Sequence, residues 1–428
     1  MQERNELVSM ASVIVIHPYQ QHSLKTAVAI KQTGMLCKYL TTVYNKKGSW
    51  TYKFQFLLSK EDQKRAEKRK IHGLEDSDVH QLCEIRSLFL LLLQRIDKSK
   101  KIYNWYFQRI IKIFNKKAYK YILSVKPDAI IVYDTMCADL IKLIRTGGQD
   151  VKIILDMSAP YYNYMECAFE QDIDKHPGYS ADLKKMLNSS IYTYRRDYSK
   201  YEIENADAFL VASTFTRNSL KWGGVNKDVY LCQYGIDDFV NINDCRVSPR
   251  KIEYPLRVIY VGRVNQAKGA YQLIELASRC SESQIQVDFY GSFDPDSLII
   301  QSASKICHFH GHVPRSEMIK AYSDADMLIL PSLADGFGFV IPEALSYSLP
   351  VITSDSVGAA QLIKPGLNGY IFESGNDEQL LSIVQSLIDN PNCLIKMREN
   401  CKKSVEHLSW QNYNLQVRMA LDDIFKKI

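Results

Sequence analysis

Short, unbroken runs of aliphatic and β-branched residues recur along the chain, separated by segments long enough for helices. The first is Val13-Ile14-Val15-Ile16, followed by a polar loop and a helical stretch around 27–34. Runs at 129–133, 152–155 and 208–211 continue the series. After about residue 240 it restarts at 257–261, 287–290, 327–330 and 351–353. Continuous rather than alternating runs suit parallel strands covered on both faces by helices. The pattern predicts two α/β units of Rossmann type.

The boundary is visible. Tyr234-Gly235-Ile236-Asp237 ends one unit, residues 238–255 are polar without periodicity, and Leu256 opens the next strand. The expected organisation is a first unit over 1–240 and a second over 255–410. A terminal helix over 411–428 aligns Tyr413, Val417, Leu421, Ile424 and Ile428 on one face. Residues 45–125 show no clear parallel strand and read as a largely helical insertion in the first unit.

Composition narrows the class. The chain has 428 residues, 46% of them hydrophobic, which excludes disorder. Its longest apolar run, 88–93, has six residues, far short of the roughly 18 a spanning helix needs. The polar start Met1-Gln2-Glu3-Arg4 does not resemble a secretory signal, and ten cysteines without a C-x-x-C pair suit a reducing compartment. These features predict a cytoplasmic protein. A net charge of +6 fixes no partner. Its distribution adds more: between Arg95 and Lys120 lie nine Lys or Arg and one acid, Asp97. In this segment Tyr103, Phe107, Ile110, Phe114 and Tyr121 share one helical face, with Arg109, Lys112, Lys116 and Lys120 opposite. Such a helix, carrying Trp105, suits either peripheral contact of segment 98–121 with an anionic membrane or an ordinary domain helix with a solvated basic face. The basic clusters match no nucleic-acid-binding fold, so no nucleic-acid partner is expected.

The richest candidate chemistry lies in 331–345. Gly336 and Gly338 sit between a buried strand and a helix, where backbone amides favour a phosphate. Asp335 and Glu343 bracket that loop, and ionised carboxylates suit hydroxyl-rich ligands. A second group follows the strand at 257–261. Gly262-Arg263 and Lys268-Gly269 place two cations at a strand's carboxyl end, as stabilisation of a diphosphate leaving group without a metal would require.

With these residues in hand, the chain resembles the family 4 retaining glycosyltransferases, group 1, of the GT-B fold. Asp335 to Glu343 is similar to the family's E-x7-E element, with Asp in place of the first Glu. Gly262-Arg263 and Lys268-Gly269 match its G-R-x(4)-K-G element, Tyr234 to Asp237 its crossover, and Val357-Gly358-Ala359-Ala360 and 366–370 the elements after the second acid. The resemblance implies two Rossmann-like domains facing across a cleft, with the terminal helix crossing back to the first.

It also implies roles. Arg263 and Lys268 would neutralise the leaving diphosphate, with Asp335 on donor-sugar hydroxyls. Gly262, Gly336, Phe337, Gly338, Phe339 and Val340 would line the donor, and Glu343 would accept from the ribose. Retention by front-face attack needs no protein nucleophile and no metal cofactor. The expected substrates are a UDP- or GDP-linked sugar and a glycan or lipid-linked glycan acceptor, in bacterial surface polysaccharide assembly (O-antigen, capsule or lipopolysaccharide) at the inner face of the cytoplasmic membrane. The family's Gly-Gly loop is replaced by His17-Pro18-Tyr19-Gln20-Gln21-His22-Ser23, so His17 and Gln21 become the acceptor-side candidates. No family histidine is matched in the first unit, and the regions of Tyr133-Asp134 and Asp156-Met157-Ser158 stand in its place, with Asp134 a further candidate. Asp335 and the altered loop also motivate a non-catalytic nucleotide-sugar-binding or membrane-docked scaffold. A sugar-nucleotide epimerase or phosphorylase fits the motifs less well. His308, His310 and His312 alternate along a strand end, but the sequence shows no acid beside them to complete a metal site.

Overall fold

The computed structural model describes residues 11–57, 59–236 and 252–426. Residues 1–10, Asp237, much of the polar segment before Leu256, and Ile428 lie outside those residues. Seven strands form the first sheet: β1 (Val13–Ile16), β2 (Leu36–Thr41), β3 (Val79–Gln81), β4 (Ala129–Tyr133), β5 (Lys152–Met157), β6 (Ala208–Val211) and β7 (Asp228–Leu231). They run in parallel in the order β3-β2-β1-β4-β5-β6-β7. Six form the second: β8 (Leu256–Val261), β9 (Ile285–Tyr290), β10 (Cys307–Gly311), β11 (Met327–Leu330), β12 (Val351–Ser354) and β13 (Gly369–Phe372). Their order is β10-β9-β8-β11-β12-β13, again parallel. This is the two-sheet GT-B arrangement.

The burial explains why continuous apolar runs were chosen. All four residues of β1 are fully buried, with Val13 and Val15 in the core on one face of the sheet and Ile14 and Ile16 in the core on the other. In β4, Ala129, Ile131 and Tyr133 join the first face and Ile130 and Val132 the second. A strand with a core on both sides can spare no polar position.

Segment 45–125 corrects the sequence reading in one respect. Its helices Trp50–Phe54, Lys60–Glu67, Glu84–Ile96 and Lys101–Val125 are accompanied by β3, which pairs with β2 at the sheet edge. β3 reads Val-His-Gln, three residues with one deeply buried, so it carries no apolar run to detect. The helix Lys101–Val125 buries Phe107, Ile110, Ile111, Phe114, Ala118 and Ile122 against the sheet. The apolar face of this helix is therefore part of the core, which leaves its basic face outward. Outward, the segment presents Ile102 and Trp105, the latter with the Arg109 guanidinium 5.7 Å from its ring centroid, and the basic row. Among the described residues no helix is long and apolar enough to cross a membrane.

The terminal helix Trp410–Lys426 packs on the first unit. Tyr413, Val417, Ala420, Leu421 and Ile424 enter the core face that holds Val13, Val15 and Ile30. Thr26 Oγ1 and Tyr413 Oη lie 2.7 Å apart, and Tyr230 donates to Asp423 at 2.6 Å. The units also touch directly: Ser213 Oγ donates to the Gly336 carbonyl (2.7 Å), and Thr214 N and Oγ1 both donate to Gln361 Oε1 (3.0 Å).

Candidate functional site

Parallel sheets expose loops at their carboxyl edges, and both sheets turn those edges toward one cavity of about 710 Å³. The first unit contributes Gln21, His22 and Lys25 after β1, Ser158 after β5, and Tyr234 to Ile236 after β7. The second contributes Gly262 after β8, Lys268, and Asp335, Phe337 to Val340 and Glu343 after β11, with Trp410 closing the side.

On the second unit, Lys268 Nζ lies 2.5 Å from Asp335 Oδ2, both groups partly exposed to the cavity. Asn265 Oδ1 accepts from the Lys268 amide at 3.0 Å and so pins the turn that aims this lysine. Gly338 has φ +78, and a Cβ there would stand 2.6 Å from Val357 Cγ1, so only glycine lets the chain turn from β11 into the helix Val340–Ser346. Glu343 lies in that helix's first turn. Its Oε2 accepts from the Tyr322 hydroxyl at 3.0 Å, while Oε1 has no donor among the described residues. Burial pushes the Glu343 carboxyl above its ordinary value, against the opposing effects of Tyr322 and Arg315.

The other expected residues divide. Gly336 lies at the seam between the units rather than in the cavity lining: a Cβ there would meet the Ser158 carbonyl at 2.0 Å. Arg263 is exposed, has no ion-pair partner among the described residues, and lines a neighbouring cavity of about 800 Å³ with Asn265 and Phe293. The two cations expected to act together thus face adjoining spaces.

On the first unit, Gln21 reaches the cavity with φ 37, but His17 is fully buried beneath it, its ring edge-on to Tyr133 at 4.8 Å. Burial, reinforced by His22, pushes His17 down to about 3, so it stays neutral. Asp134 lies one layer back. Its Oδ1 accepts from Ser158 N (3.0 Å) and Ser158 Oγ (2.9 Å), and burial raises its carboxyl. The residue the sequence reading missed is His22. It lines the cavity, with Nε2 2.8 Å from Asp156 Oδ2 and 3.2 Å from Tyr234 Oη. Its signal was present, in that it follows β1 at the start of a helix, but two other polar side chains in the same loop competed for the role. Lys25, over the Trp410 ring at 4.7 Å, was equally silent.

Two polar clusters lie apart from this cavity. Asp288 of β9 stands beside β10, with Oδ1 2.6 Å from His310 Nε2 and 3.5 Å from His308 Nδ1. Strand pairing therefore supplies an acid the linear sequence hid. His176, Glu275 and Asp377 bring ligand-type atoms within 4.8 Å of one another. There His176 Nε2 is 3.1 Å and Lys175 Nζ 3.4 Å from Asp377 Oδ2, an ion-pair network tying the units together.

Comparison with known proteins bears on this geometry. Residues 242–407 match the family described as glycosyl transferases group 1. The matched span covers most of the second unit. The chain is 24% identical over 176 residues to the sulfoquinovosyl transferase SQD2 of Arabidopsis thaliana, covering 40% of this chain and 34% of that one. It spans between 34% and 63% of the length of the first curated relatives it matches. Its fold is similar to the lipopolysaccharide outer core galactosyltransferase WaaB, with TM-score 0.61, 15% identity, and coverage of 98% of this chain and 100% of that one. It is also similar to Anabaena Alr3699/HepE in complex with UDP, with TM-score 0.58, 13% identity, and coverage of 96% and 100%. At these identities the structural likeness establishes the GT-B fold. The matched span contains Arg263, Lys268, Asp335 and Glu343.

Proposed function

We propose that the protein is a retaining glycosyltransferase that moves a hexose from a UDP- or GDP-linked sugar to a glycan or lipid-linked glycan acceptor. The observation that carries this reading is the convergence of Lys268, Asp335 and Glu343 on one cavity, with His22 opposite. Lys268 is held ready by Asp335, and an incoming diphosphate would compete for its charge. Arg263, next to cavity-lining Gly262, would join it on the phosphates and supply bidentate bonds. Glu343 Oε1 would accept from the ribose, and the Asp335 carboxylate would meet sugar hydroxyls once Lys268 turns to phosphate. Charge stabilisation of the leaving group and alignment in the closed cleft account for catalysis in this scheme without a resident metal. The acceptor would enter from the first unit, past His22 and Gln21. Surface polysaccharide assembly at the inner membrane face is the setting we favour. WaaB, similar in fold, is a lipopolysaccharide outer core galactosyltransferase, and the exposed basic row with Trp105 suits an anionic surface.

A thermal-shift series with UDP, GDP and their common sugars tests the donor half. At least one nucleotide should stabilise the wild type by mass action and fail to stabilise Arg263→Ala. Stabilisation by none of them would sink the reading.

A further inference from the structure

At the carboxyl end of β2, one strand over from β1, lies a second cavity of about 590 Å³. It is walled by the helices Trp50–Phe54, Lys60–Glu67 and Glu84–Ile96. Its lining is divided. Leu88, Leu91, Leu92 and Phe54 give an apolar wall, while Arg65, Arg69 and Arg95 stand, among the described residues, against one lining carboxylate, Asp62. Arg95 and Arg65 are both within ion-pair distance of Asp62. Arg69 differs. Its guanidinium has no hydrogen-bond or ion-pair partner among the described residues, and burial works against its charged form with no carboxylate to offset it. An arginine does not give up its proton, so a half-dry unpaired guanidinium is a standing demand for an anion.

The mouth of the cavity is apolar. On the helix Glu84–Ile96, Leu88, Leu91, Leu92 and Arg95 face the cavity. Ile85, Phe89, Leu92 and Ile96, at helical spacing on the adjoining face, are about half exposed or more. Leu92 belongs to both faces, and Phe54 is likewise cavity-lining and 43% exposed. An apolar surface thus runs unbroken from the wall to the outside. The Thr42 hydroxyl donates to the Pro18 carbonyl of the loop that carries Gln21 and His22, and the next residue, Val43, lines this cavity.

We propose that this cavity binds the phosphate end of a long-chain lipid phosphate, with the phosphate on Arg69 and the chain leaving along Leu92 and the exposed stripe. An inorganic anion alone would leave the leucine wall unused, and a neutral lipid would leave Arg69 unpaired. The inference deepens the glycosyltransferase reading and rests on it in one point: the lipid is taken as the anchor of the acceptor glycan, which then reaches the cleft past the 17–22 loop.

The test is calorimetric titration of the full chain with dodecyl phosphate, dodecyl maltoside and inorganic phosphate, with nucleotide stabilisation measured in parallel. Dodecyl phosphate should bind at least about tenfold tighter than either control. Arg69→Gln should weaken it by a similar factor, the scale of one charge-assisted bond. Should Arg69→Gln fold poorly, Leu92→Glu decides: that position is exposed on a helix, and an acid at the mouth should repel the phosphate. Nucleotide stabilisation should be unchanged in both variants. Equal binding of dodecyl phosphate by wild type and Leu92→Glu overturns the inference, as does maltoside or inorganic phosphate binding as well as dodecyl phosphate. A chain that binds dodecyl phosphate in this Arg69-dependent way but no nucleotide keeps the cavity and discards the glycosyltransferase reading; nucleotide binding without dodecyl phosphate binding does the reverse.

Discussion

The two halves of the cleft are built differently. On the second unit, the functional groups follow one strand each at short distance: Lys268 comes seven residues after β8 ends, and Asp335 five after β11. Their positions are held by local turns, with Asn265 capping one and Gly338 bending the other. On the first unit, the groups at the cleft come from β1, β5 and β7 and the terminal helix, and they are fixed by long-range contacts such as His22 with Asp156 and Tyr234. A site made by local turns is written in contiguous residues; a site assembled across a sheet is not. The contrast predicts that lesions on the second unit remove donor chemistry, whereas lesions on the first separate donor binding from turnover.

The largest effect should come from Lys268→Ala. It deletes the only Lys or Arg of the second unit that lines the main cavity among the described residues, and it leaves Asp335 to repel the diphosphate. Loss of one preorganised electrostatic group of this kind costs about 10²–10³-fold in rate. Sugar-nucleotide turnover should fall on that scale. Adding Asp335→Asn should cost less than the two single losses multiplied, because the residues act as a pair. Strict multiplication would break the view that they are one unit.

How much was legible follows the same line. β1, β4, β5, β6, β8, β9, β11 and β12 could be read because strands buried on both faces must be continuously apolar, the terminal helix from its apolar face, and the Gly336 to Glu343 loop because its turn needs glycine; β2, β7 and β13, with part-exposed positions, do not stand out as apolar runs. β3 could not be read, since an edge strand of three residues has nothing to repeat. Nor could the burial of His17 or the place of His22 in the cleft wall, five residues apart. Whether a loop side chain points down into Tyr133 or out into a cleft is decided by tertiary packing, not by local periodicity. Asp288 beside His308 and His310 is the same lesson in a different strand pair.

A sharper probe of the first unit is the pair His22→Gln and His17→Gln. His22 faces the cavity, and its loss should lower turnover by about 10²-fold, the lower end of what a positioned acid–base group contributes. Nucleotide stabilisation should stay as in the wild type. His17 is buried and neutral, so its replacement should lower the melting temperature more than the activity of the folded fraction. Comparing turnover with nucleotide thermal shifts in both variants checks this, and a large loss of nucleotide binding in His22→Gln would blur the proposed division of labour.

The smallest effect concerns the scaffold behind that half. Glu202 is fully buried, its Oε2 accepting from Thr135 N (2.6 Å) and Oε1 from Cys137 N (2.7 Å) at the start of the helix Ala138–Thr146. Burial is the dominant influence, and it pushes the carboxyl from 4.5 up to about 8 despite these amides. The folded-state value lies above the unfolded one, so the folded chain keeps this proton over a range in which the unfolded chain releases it. The contribution of Glu202 is complete below about pH 4.5 and fades as pH rises through 8. Glu202→Gln cannot titrate and loses one acceptor, which costs about 1 kcal/mol, or roughly 2–4 °C in a unit of this size. Melting curves should therefore show the wild type ahead at acidic pH and its lead shrinking toward pH 9. A difference that stays constant across that range would mean that the carboxylate is ionised in the fold, with the two amides outweighing burial.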